Sequence, residues 1–442
     1  MNHRGTETPR KRSEAALERM AINMRTIYRP SHSLLCVSVP LWFITALFCA
    51  QSSAAEWPRF RGPNGEGHAA ALQLPDRWTD KDKLWTAELP GVGHSSPVIS
   101  GERIVVTSAD PKKELLYVLS LNARTGAKQW QIELASPPLP GHVRNSGATS
   151  TPAIDAERVY VTGIGPQGYF VAALSLADGK ELWRNELGPY AAQHGFGASP
   201  MLIDNLLIVP NDQDGESFLL ALDAASGKQQ WRTPRRSGRA SYSTPCVYEP
   251  AGQKPQLILT SADNGMTGID PQTGQVNWSL DVFPERTVGS PVVAGNLILA
   301  NCGKGNGGHS LVAVRPPHAP DGQAKVVYTL TQSVPYVTTP IVKDDLMFLI
   351  NDMGIASCHE LATGKRLWMK RIGGNYSGSP ILVGDRLIVA TNDGDFYVLS
   401  ATRDYKDPVR NPFGQTCRAT PAVAFGNLYL RTESKLVCLG AK

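Results

Sequence analysis

The chain has 442 residues, with 41 Gly, 33 Pro and 7% aromatic residues. This length is too great for one small domain, and the Gly and Pro content favours many short strands joined by tight turns over a helical bundle. After residue 55 the chain carries 37 Lys and Arg against 36 Asp and Glu, so its charge provides no attraction to nucleic acid or to an anionic membrane surface.

Residues 1–55 are predicted to form a secretory signal region. An uncharged apolar run covers residues 34–50, follows two arginines and precedes small residues that suit cleavage before Glu56. Residues 1–23 carry mixed charge, which makes Met24 an alternative start. An uncleaved anchor is the competing interpretation, because the run nearly reaches membrane-spanning length. We expect a periplasmic or secreted protein, soluble or held at the inner membrane by this segment alone.

A Ser-Pro or Thr-Pro pair followed by a hydrophobic stretch recurs along the rest of the chain. The eight prolines are Pro97, Pro152, Pro200, Pro245, Pro291, Pro340, Pro380 and Pro421. They lie 40 to 55 residues apart, a period typical of a β-propeller built from four-stranded blades. Proline is tolerated at the start of each inner strand, because its missing N–H is not needed there.

Most repeats end in a tight turn and an aromatic residue, as in LDAASGKQQW at 222–231. Asp or Asn starts this turn, Gly supplies a positive φ, and Trp ends the outer strand with a large apolar surface. Tyr328 takes the aromatic position in the fifth repeat. A structural role in docking one blade on another is predicted for Trp85, Trp130, Trp183, Trp231, Trp278 and Trp368.

The last repeat lacks a fourth strand, whereas Lys83 to Gly91 (KLWTAELPG) have the form of a fourth strand without the other three. Pairing the two would remove both open sheet edges. We therefore predict an all-β, eight-bladed propeller of four-stranded antiparallel blades over residues 83–442, with the last blade closed by an N-terminal strand. Residues 56–82 are assigned to an N-terminal arm.

The loops that enter each inner strand should crowd one face of the ring, around the central channel. Arg, His and Tyr outnumber carboxylates in these loops, and Glu285 is the one carboxylate placed there. Such a mouth suits a small anionic or hydroxylated ligand, and equally a protein partner. The ligand-binding candidates are His94, Arg144, His194, Arg239, Tyr242, Arg286, Tyr336, Tyr376 and Arg418.

Other motifs point to turns and packing. The match to a dinucleotide-binding loop at Gly303 to Gly308 is followed by a strand and not by the required helix. Asp212 and Asp214 lie in a loop that lacks the full ligand spacing of a calcium site. The five cysteines after residue 55 are not adjacent and have no zinc-binding spacing. We predict no catalytic residues and no metal site.

The phrase ALDAASGKQQW, Ala221 to Trp231, resembles the repeat of the pyrroloquinoline-quinone-like β-propellers, and the likeness extends over about 57–442. The opening WPRFRGPNGEG is similar to that of secreted propellers from bacteria such as planctomycetes. For the quinoprotein dehydrogenase branch, the resemblance implies quinone and Ca²⁺ beside a pair of adjacent cysteines, and no such set can be placed here. For the outer-membrane assembly lipoprotein branch it implies envelope protein assembly and a lipidated cysteine, but Phe48 precedes Cys49 where a small residue is needed.

We expect a non-catalytic binding or scaffolding module, acting in envelope protein assembly and needing no cofactor. Two alternatives remain. One is a quinoprotein-type oxidoreductase that binds pyrroloquinoline quinone with Ca²⁺. The other is a carbohydrate-binding or carbohydrate-active propeller, which for hydrolysis needs a pair of carboxylates facing the channel at glycosidase separation.

Overall fold

The computed structural model describes residues 56–138, 142, 145–305, 307–318 and 322–441. The predicted signal region and the candidate Arg144 lie outside the described residues. The described residues belong to one compact unit, 51–442. Among them, none of the helices has the length and apolar character needed to cross a bilayer.

The described part of the chain forms eight mainly antiparallel sheets. Preceding the first blade are the 3₁₀ turn Pro63–Gly65, strand β1 (His68–Ala69), the 3₁₀ turn Asp80–Asp82 and strand β2 (Lys83–Glu88). Blades 1 and 2 contain β3 (Val98–Ser100), β4 (Arg103–Asp110), β5 (Leu115–Asn122), β6 (Lys128–Ala135), β7 (Ala153–Ile154), β8 (Arg158–Gly165), β9 (Gly168–Ser175) and β10 (Glu181–Gly188). Blades 3 and 4 contain β11 (Met201–Ile203), β12 (Leu206–Asn211), β13 (Ser217–Asp223), β14 (Gln229–Arg235), β15 (Cys246–Tyr248), β16 (Gln256–Ser261), β17 (Gly265–Ile269) and β18 (Val276–Leu280).

The other four blades repeat this order of strands, named A to D from the channel outwards. Blades 5 and 6 contain β19 (Val292–Ala294), β20 (Leu297–Lys304), β21 (Gly307–Arg315), β22 (Lys325–Leu330), β23 (Ile341–Lys343), β24 (Leu346–Ile350), β25 (Ile355–Glu360) and β26 (Arg366–Arg371). Blades 7 and 8 contain β27 (Ile381–Val383), β28 (Arg386–Ala390), β29 (Asp395–Ser400), β30 (Val409–Pro412), β31 (Ala422–Ala424), β32 (Asn427–Arg431) and β33 (Lys435–Leu439).

Blade 8 is completed by the N-terminal strand. Strand β2 pairs antiparallel with β33, with Thr86 opposite Val437, and the sheet runs β2-β33-β32-β31. This pairing gives β2 a partner strand and covers the edge of β33 that would otherwise be open. The predicted eight-bladed all-β propeller with a mixed last blade is confirmed.

The repeated tryptophan of one blade docks on the turn of the next blade. The Trp183 indole donates to the Ala224 carbonyl at 3.1 Å, and a Cβ added to Gly227 would lie 2.6 Å from the Trp183 ring. Trp85, Trp130, Trp231 and Tyr328 repeat both the hydrogen bond and the glycine contact, and Trp368 repeats the hydrogen bond. Trp278 differs, because it donates to Gln256 of its own blade at 2.8 Å. The turn and the tryptophan of the repeat are therefore two halves of one contact between blades.

The Ser or Thr before each proline joins the inner strands into a ring. The Ser290 N–H donates to the Thr339 hydroxyl and the Thr339 N–H to the Ser379 hydroxyl, both at 3.0 Å. The Thr420 N–H donates to the Ser96 hydroxyl at 3.2 Å, which links the last blade to the first. We call the eight residues the hydroxyl ring: Ser96, Thr151, Ser199, Thr244, Ser290, Thr339, Ser379 and Thr420. Seven of its eight blade-to-blade hydrogen bonds are present at 2.9 to 3.2 Å among the described residues.

Apolar side chains fill the space between neighbouring blades. Val118 of blade 1 and Phe170 of blade 2 belong to one buried cluster, together with Trp130. The same arrangement recurs between later blades, for example around Phe348 and Val389 of blades 6 and 7. Because each core lies between two blades, the ring must be complete for every blade to be buried on both faces.

Thr339→Val tests the hydroxyl ring. The substitution keeps the side-chain shape and leaves the buried Ser290 N–H without an acceptor, so we expect a loss of about 1–3 kcal/mol in the free energy of unfolding. Thr329→Val makes the same chemical change on the exposed strand β22 and should stay within about 0.5 kcal/mol. Denaturant unfolding measures both variants. Equal stabilities would contradict a structural role for the ring.

Candidate functional site

The N-terminal arm lies across the inner strands at one end of the channel. Trp57 exchanges backbone hydrogen bonds with Ile99 of blade 1 at 2.8 and 2.9 Å. The Asn64 side chain accepts from and donates to the Val247 backbone of blade 4 at 2.7 and 2.8 Å. Strand β1 pairs parallel with β27 of blade 7. The arm therefore uses backbone groups of strands A that would otherwise face the channel without a neighbouring strand.

Two arginines of the arm are fully buried against the same inner strands. Arg59 donates to the Pro245 carbonyl, and Arg61 donates to the carbonyls of Pro340 and Pro380 at 3.1 and 3.3 Å. Burial lowers the pKa of Arg59 to about 10 and that of Arg61 to about 9. Both values remain above neutral pH, so both guanidinium groups stay charged.

A cavity of about 360 Å³ lies at the centre of the ring, and we call it the cup. Phe60 lines it from the arm, all eight residues of the hydroxyl ring line its wall, and loop residues line the opposite end. These loops run from strand D to strand A. The loops from strand B to strand C lie on the same face of the ring, because strands B and D run in the same direction in an antiparallel sheet. We call this face the mouth face. The cup thus lies between the arm and the mouth face.

Five of the predicted site residues line the cup: His94, His194, Tyr242, Tyr336 and Arg418. Tyr376 is 2% exposed and lies in the apolar core between blades 6 and 7. Arg239 donates to the Pro284 carbonyl at 3.0 Å and Arg286 to the Ala240 carbonyl at 3.1 Å, and neither lines the cup. The tertiary structure thus brings together the histidines, two tyrosines and one arginine of the predicted set.

Asx-rich loops hold the mouth in place. The Asp352 carboxylate accepts from the backbone N–H groups of Tyr336 and Val337 at 2.7 and 2.9 Å. The Asp214 carboxylate accepts from the Ala240 N–H at 2.9 Å. The loops between strands B and C therefore stabilise the mouth face as well as reversing the chain, because their side chains accept hydrogen bonds from the neighbouring D-to-A loops.

The protonation of the aromatic residues in the cup follows from burial. Burial, and then the charges of Arg286 and His142, lower the pKa of His194, so its imidazole is neutral at neutral pH. Burial raises the pKa of Tyr242 to about 12 and also raises the pKa of Tyr336. The two phenols therefore remain protonated, and the wall of the cup combines hydroxyl groups with a neutral imidazole.

A third buried cation lies behind the hydroxyl ring. Arg431 of β32 is 1% exposed, and it donates to the Ser95 carbonyl at 3.0 Å and to the Ser108 hydroxyl at 2.9 Å. Burial lowers the pKa of Arg431 to about 9, so it stays charged at neutral pH. Gly93 leaves room for it, because an added Cβ there would lie 1.9 Å from the guanidinium.

Sequence reasoning did not find several residues of the site. Phe60, Arg59 and Arg61 were missed because nothing in the sequence places the arm inside the channel. His142 also lines the cup, with its ring centre 5.2 Å from that of His194. The hydroxyl ring had a detectable signal, since Ser or Thr precedes proline in all eight repeats.

The residues of the cup do not fit the calcium and quinone of the dehydrogenase branch. No Asp or Glu is among the described residues that line the cup, although calcium requires several oxygen ligands. No group of three His, Cys, Asp or Glu that could hold a metal ion occurs in the described part of the chain. The five described cysteines are buried and free. The described lining also lacks the carboxylate pair that glycoside hydrolysis needs.

The fold and the cup define a pyrroloquinoline-quinone-like β-propeller whose channel contains a pocket. The family model described as outer membrane protein assembly factor BamB matches residues 77–168 and 167–404, and the chain belongs to this family.

Individual relatives agree with this family. BamB of Burkholderia pseudomallei (strain K96243) is 24% identical over 374 residues, which are 80% of this chain and 86% of that protein. A polyvinylalcohol dehydrogenase of a Pseudomonas species is 27% identical over 163 residues, 34% of this chain and 24% of that protein. The crystal structure of BamB from Moraxella catarrhalis superposes with a TM-score of 0.60 at 16% identity, over 81% of this chain and 97% of the other. The superposition establishes the shared fold.

Gly62→Ala tests the position of the arm in the channel. Gly62 has a φ of +69°, and an added Cβ would lie 2.8 Å from the Trp57 ring. Gly62 also has a ψ of −158°, and this backbone conformation is essentially limited to glycine. Gly295 has a φ of +60° with open space around it, so Gly295→Ala reports the cost of a positive φ without a steric contact, about 1–2 kcal/mol. We expect Gly62→Ala to lose about 1–3 kcal/mol more, from overpacking against Trp57 and from its glycine-only backbone conformation. Denaturant unfolding measures the loss, and limited proteolysis should cleave residues 56–82 faster in this variant only. Equal losses and equal cleavage rates would contradict the arm contacts.

Proposed function

We propose that this protein is a non-catalytic scaffold of the cell envelope that acts in the assembly of outer-membrane proteins. The observation that carries the proposal is the extent of the family match, which spans residues 77–404. The similarity to an outer membrane protein assembly factor covers 86% of that protein, whereas the similarity to a dehydrogenase covers 24% of that protein. The similarity to the assembly factor therefore extends over most of that protein, whereas the similarity to the dehydrogenase is limited to a small part of it.

The proposal places the protein in the periplasm, exported by the signal region within residues 1–55. The mouth face supports binding of a protein partner. Lys304 is 76% exposed and lies 2.7 Å from the Glu285 carboxylate, and Arg239 is 42% exposed and lies 3.7 Å from the same carboxylate. Exposed cations at a strand end and on a loop, both held by a rigid ring, suit recognition of an acidic surface on a partner.

Reversing charge on the mouth face tests this role. In the source organism, loss of the protein should lower the amount of folded β-barrel proteins in the outer membrane, and the wild-type chain should restore it. A double variant, Arg239→Glu with Lys304→Glu, should restore it poorly because it repels an acidic partner. The measurement is quantitative proteomics of purified outer membranes, with the heat-dependent gel mobility of the barrels as the test of folding.

The matched control reverses two exposed cations on the opposite face. Arg124 and Lys180 lie in turns between strands C and D and are 56% and 81% exposed. Arg124→Glu with Lys180→Glu changes the net charge equally and should restore assembly fully. Unchanged outer membranes after loss of the protein would contradict the proposal. Equal failure of both double variants would contradict the assignment to the mouth face.

A quinone titration separates the scaffold from the enzymatic alternative. We expect calorimetry to show no Ca²⁺-dependent binding of pyrroloquinoline quinone, because the described lining of the cup offers Ca²⁺ no carboxylate. We also expect no dye reduction with simple alcohols, sugars or polyvinyl alcohol. Tight quinone binding together with turnover would replace the scaffold with an oxidoreductase.

A further inference from the structure

We propose that the cup is a binding site for a small organic anion that carries carboxylate or phosphate groups. The observation behind this proposal is the position of three buried guanidinium groups directly behind the hydroxyl ring. The site goes beyond the scaffold role, and it can exist whether or not the protein acts in outer-membrane assembly.

The three cations lie one residue away from the hydroxyl ring. Arg431 bonds to the Ser95 carbonyl, next to Ser96. Arg59 bonds to the carbonyl of Pro245, which follows Thr244. Arg61 bonds to the carbonyls of Pro340 and Pro380, which follow two other ring residues. Positive charge is thus distributed around the cup behind blades 1, 4, 6 and 7.

These charges have no carboxylate bonded to them in the described part of the chain. Their hydrogen bonds go to backbone carbonyls, to the hydroxyls of Ser95 and Ser108, and to a methionine sulfur. The Nε atoms of Arg59, Arg61 and Arg431 are buried without a hydrogen-bond partner. Buried charges are normally compensated by a partner of opposite sign. Glu66 supplies part of this compensation for Arg59 and Arg61, and an anion in the cup would supply the rest.

The wall of the cup provides hydrogen-bond donors. Seven residues of the hydroxyl ring accept a backbone N–H through the side-chain oxygen, and this leaves the hydroxyl hydrogen available to donate. Arg418 adds a cation at the mouth end. Because no Asp or Glu lines the cup among the described residues, no carboxylate in the lining repels an anion.

The size and apolar surface of the cup favour an organic anion over a bare inorganic ion. A volume of about 360 Å³ lies within the range of small-molecule pockets. Phe60, Tyr242 and Tyr336 supply aromatic surface, and Val288 and Val337 supply aliphatic surface. A planar carboxylate can pack against these side chains while its oxygens accept from the hydroxyl groups.

The test is calorimetric titration of the exported protein with four probes: benzoate, citrate, inorganic phosphate, and benzyl alcohol as the neutral match of benzoate. We expect benzoate or citrate to bind and benzyl alcohol not to bind. The citrate and phosphate arms separate carboxylate recognition from phosphate recognition. Arg418→Gln should weaken binding by about tenfold or more, the loss typical of one charge-assisted hydrogen bond.

Two further variants keep the result interpretable. Val288→Phe adds a ring inside the cup without removing a polar group and should abolish binding. Lys180→Gln removes an exposed cation on the face opposite the mouth and should leave the affinity unchanged. Circular dichroism and thermal unfolding verify that each variant is folded. The proposal is overturned if no probe binds the wild-type protein, if benzyl alcohol binds as well as benzoate, or if Arg418→Gln binds as tightly as the wild type. None of these results bears on outer-membrane assembly, which is measured separately in cells.

Discussion

The ring is organised by one hydrogen bond that recurs between neighbouring blades, from a backbone N–H to the Ser or Thr hydroxyl that precedes the next proline. A propeller places its inner strands side by side without pairing them, so strand A of each blade has polar backbone groups that no β-sheet ladder satisfies. At the entrance to strand A, the hydroxyl ring satisfies the N–H group two residues before the strand in seven blades of the described residues. It also sets the distance between blades at the channel, where the cup forms.

The N-terminal arm satisfies the same requirement further along the inner strands. Trp57 pairs with Ile99, Asn64 pairs with Val247, and β1 extends the sheet of blade 7. The arm therefore lies in the channel because it satisfies backbone groups of the inner strands. Its position also places Phe60 at one end of the cup. The cost is the burial of two charged guanidinium groups, offset in part by backbone carbonyls.

The outer part of the ring follows a second contact, between a tryptophan and the glycine turn of the next blade. Its recurrence at Trp85, Trp130, Trp183 and Trp231 explains why the chain repeats one phrase so often. Both contacts stabilise the ring, so the sequences of the mouth-face loops can vary without breaking either contact. This division suits a family in which one ring carries different binding functions, because the loops can change without altering the blade contacts.

The sequence by itself determined the number of blades and the four-strand repeat, because both depend on residues close together in the chain. It also indicated the closure of the last blade, because the incomplete last repeat and the lone fourth strand near the N-terminus are each recognisable locally, although their pairing joins distant residues. Strand periodicity, a turn glycine and a Ser-Pro pair are local features. It also selected five residues that the structure places together in the lining of the cup: His94, His194, Tyr242, Tyr336 and Arg418. Their convergence follows from a topology that places every D-to-A loop on one face.

Only the tertiary structure decided which other residues belong to the cup. Tyr376 sits in the same kind of loop as Tyr336 but turns into the core between two blades, and a repeat pattern cannot specify that choice of direction. The contact of Arg61 with Pro380 joins residues 319 positions apart, and no local rule connects them. Long-range packing of the arm in the channel is what turns an open ring into a cup, with two of the three buried cations contributed by the arm.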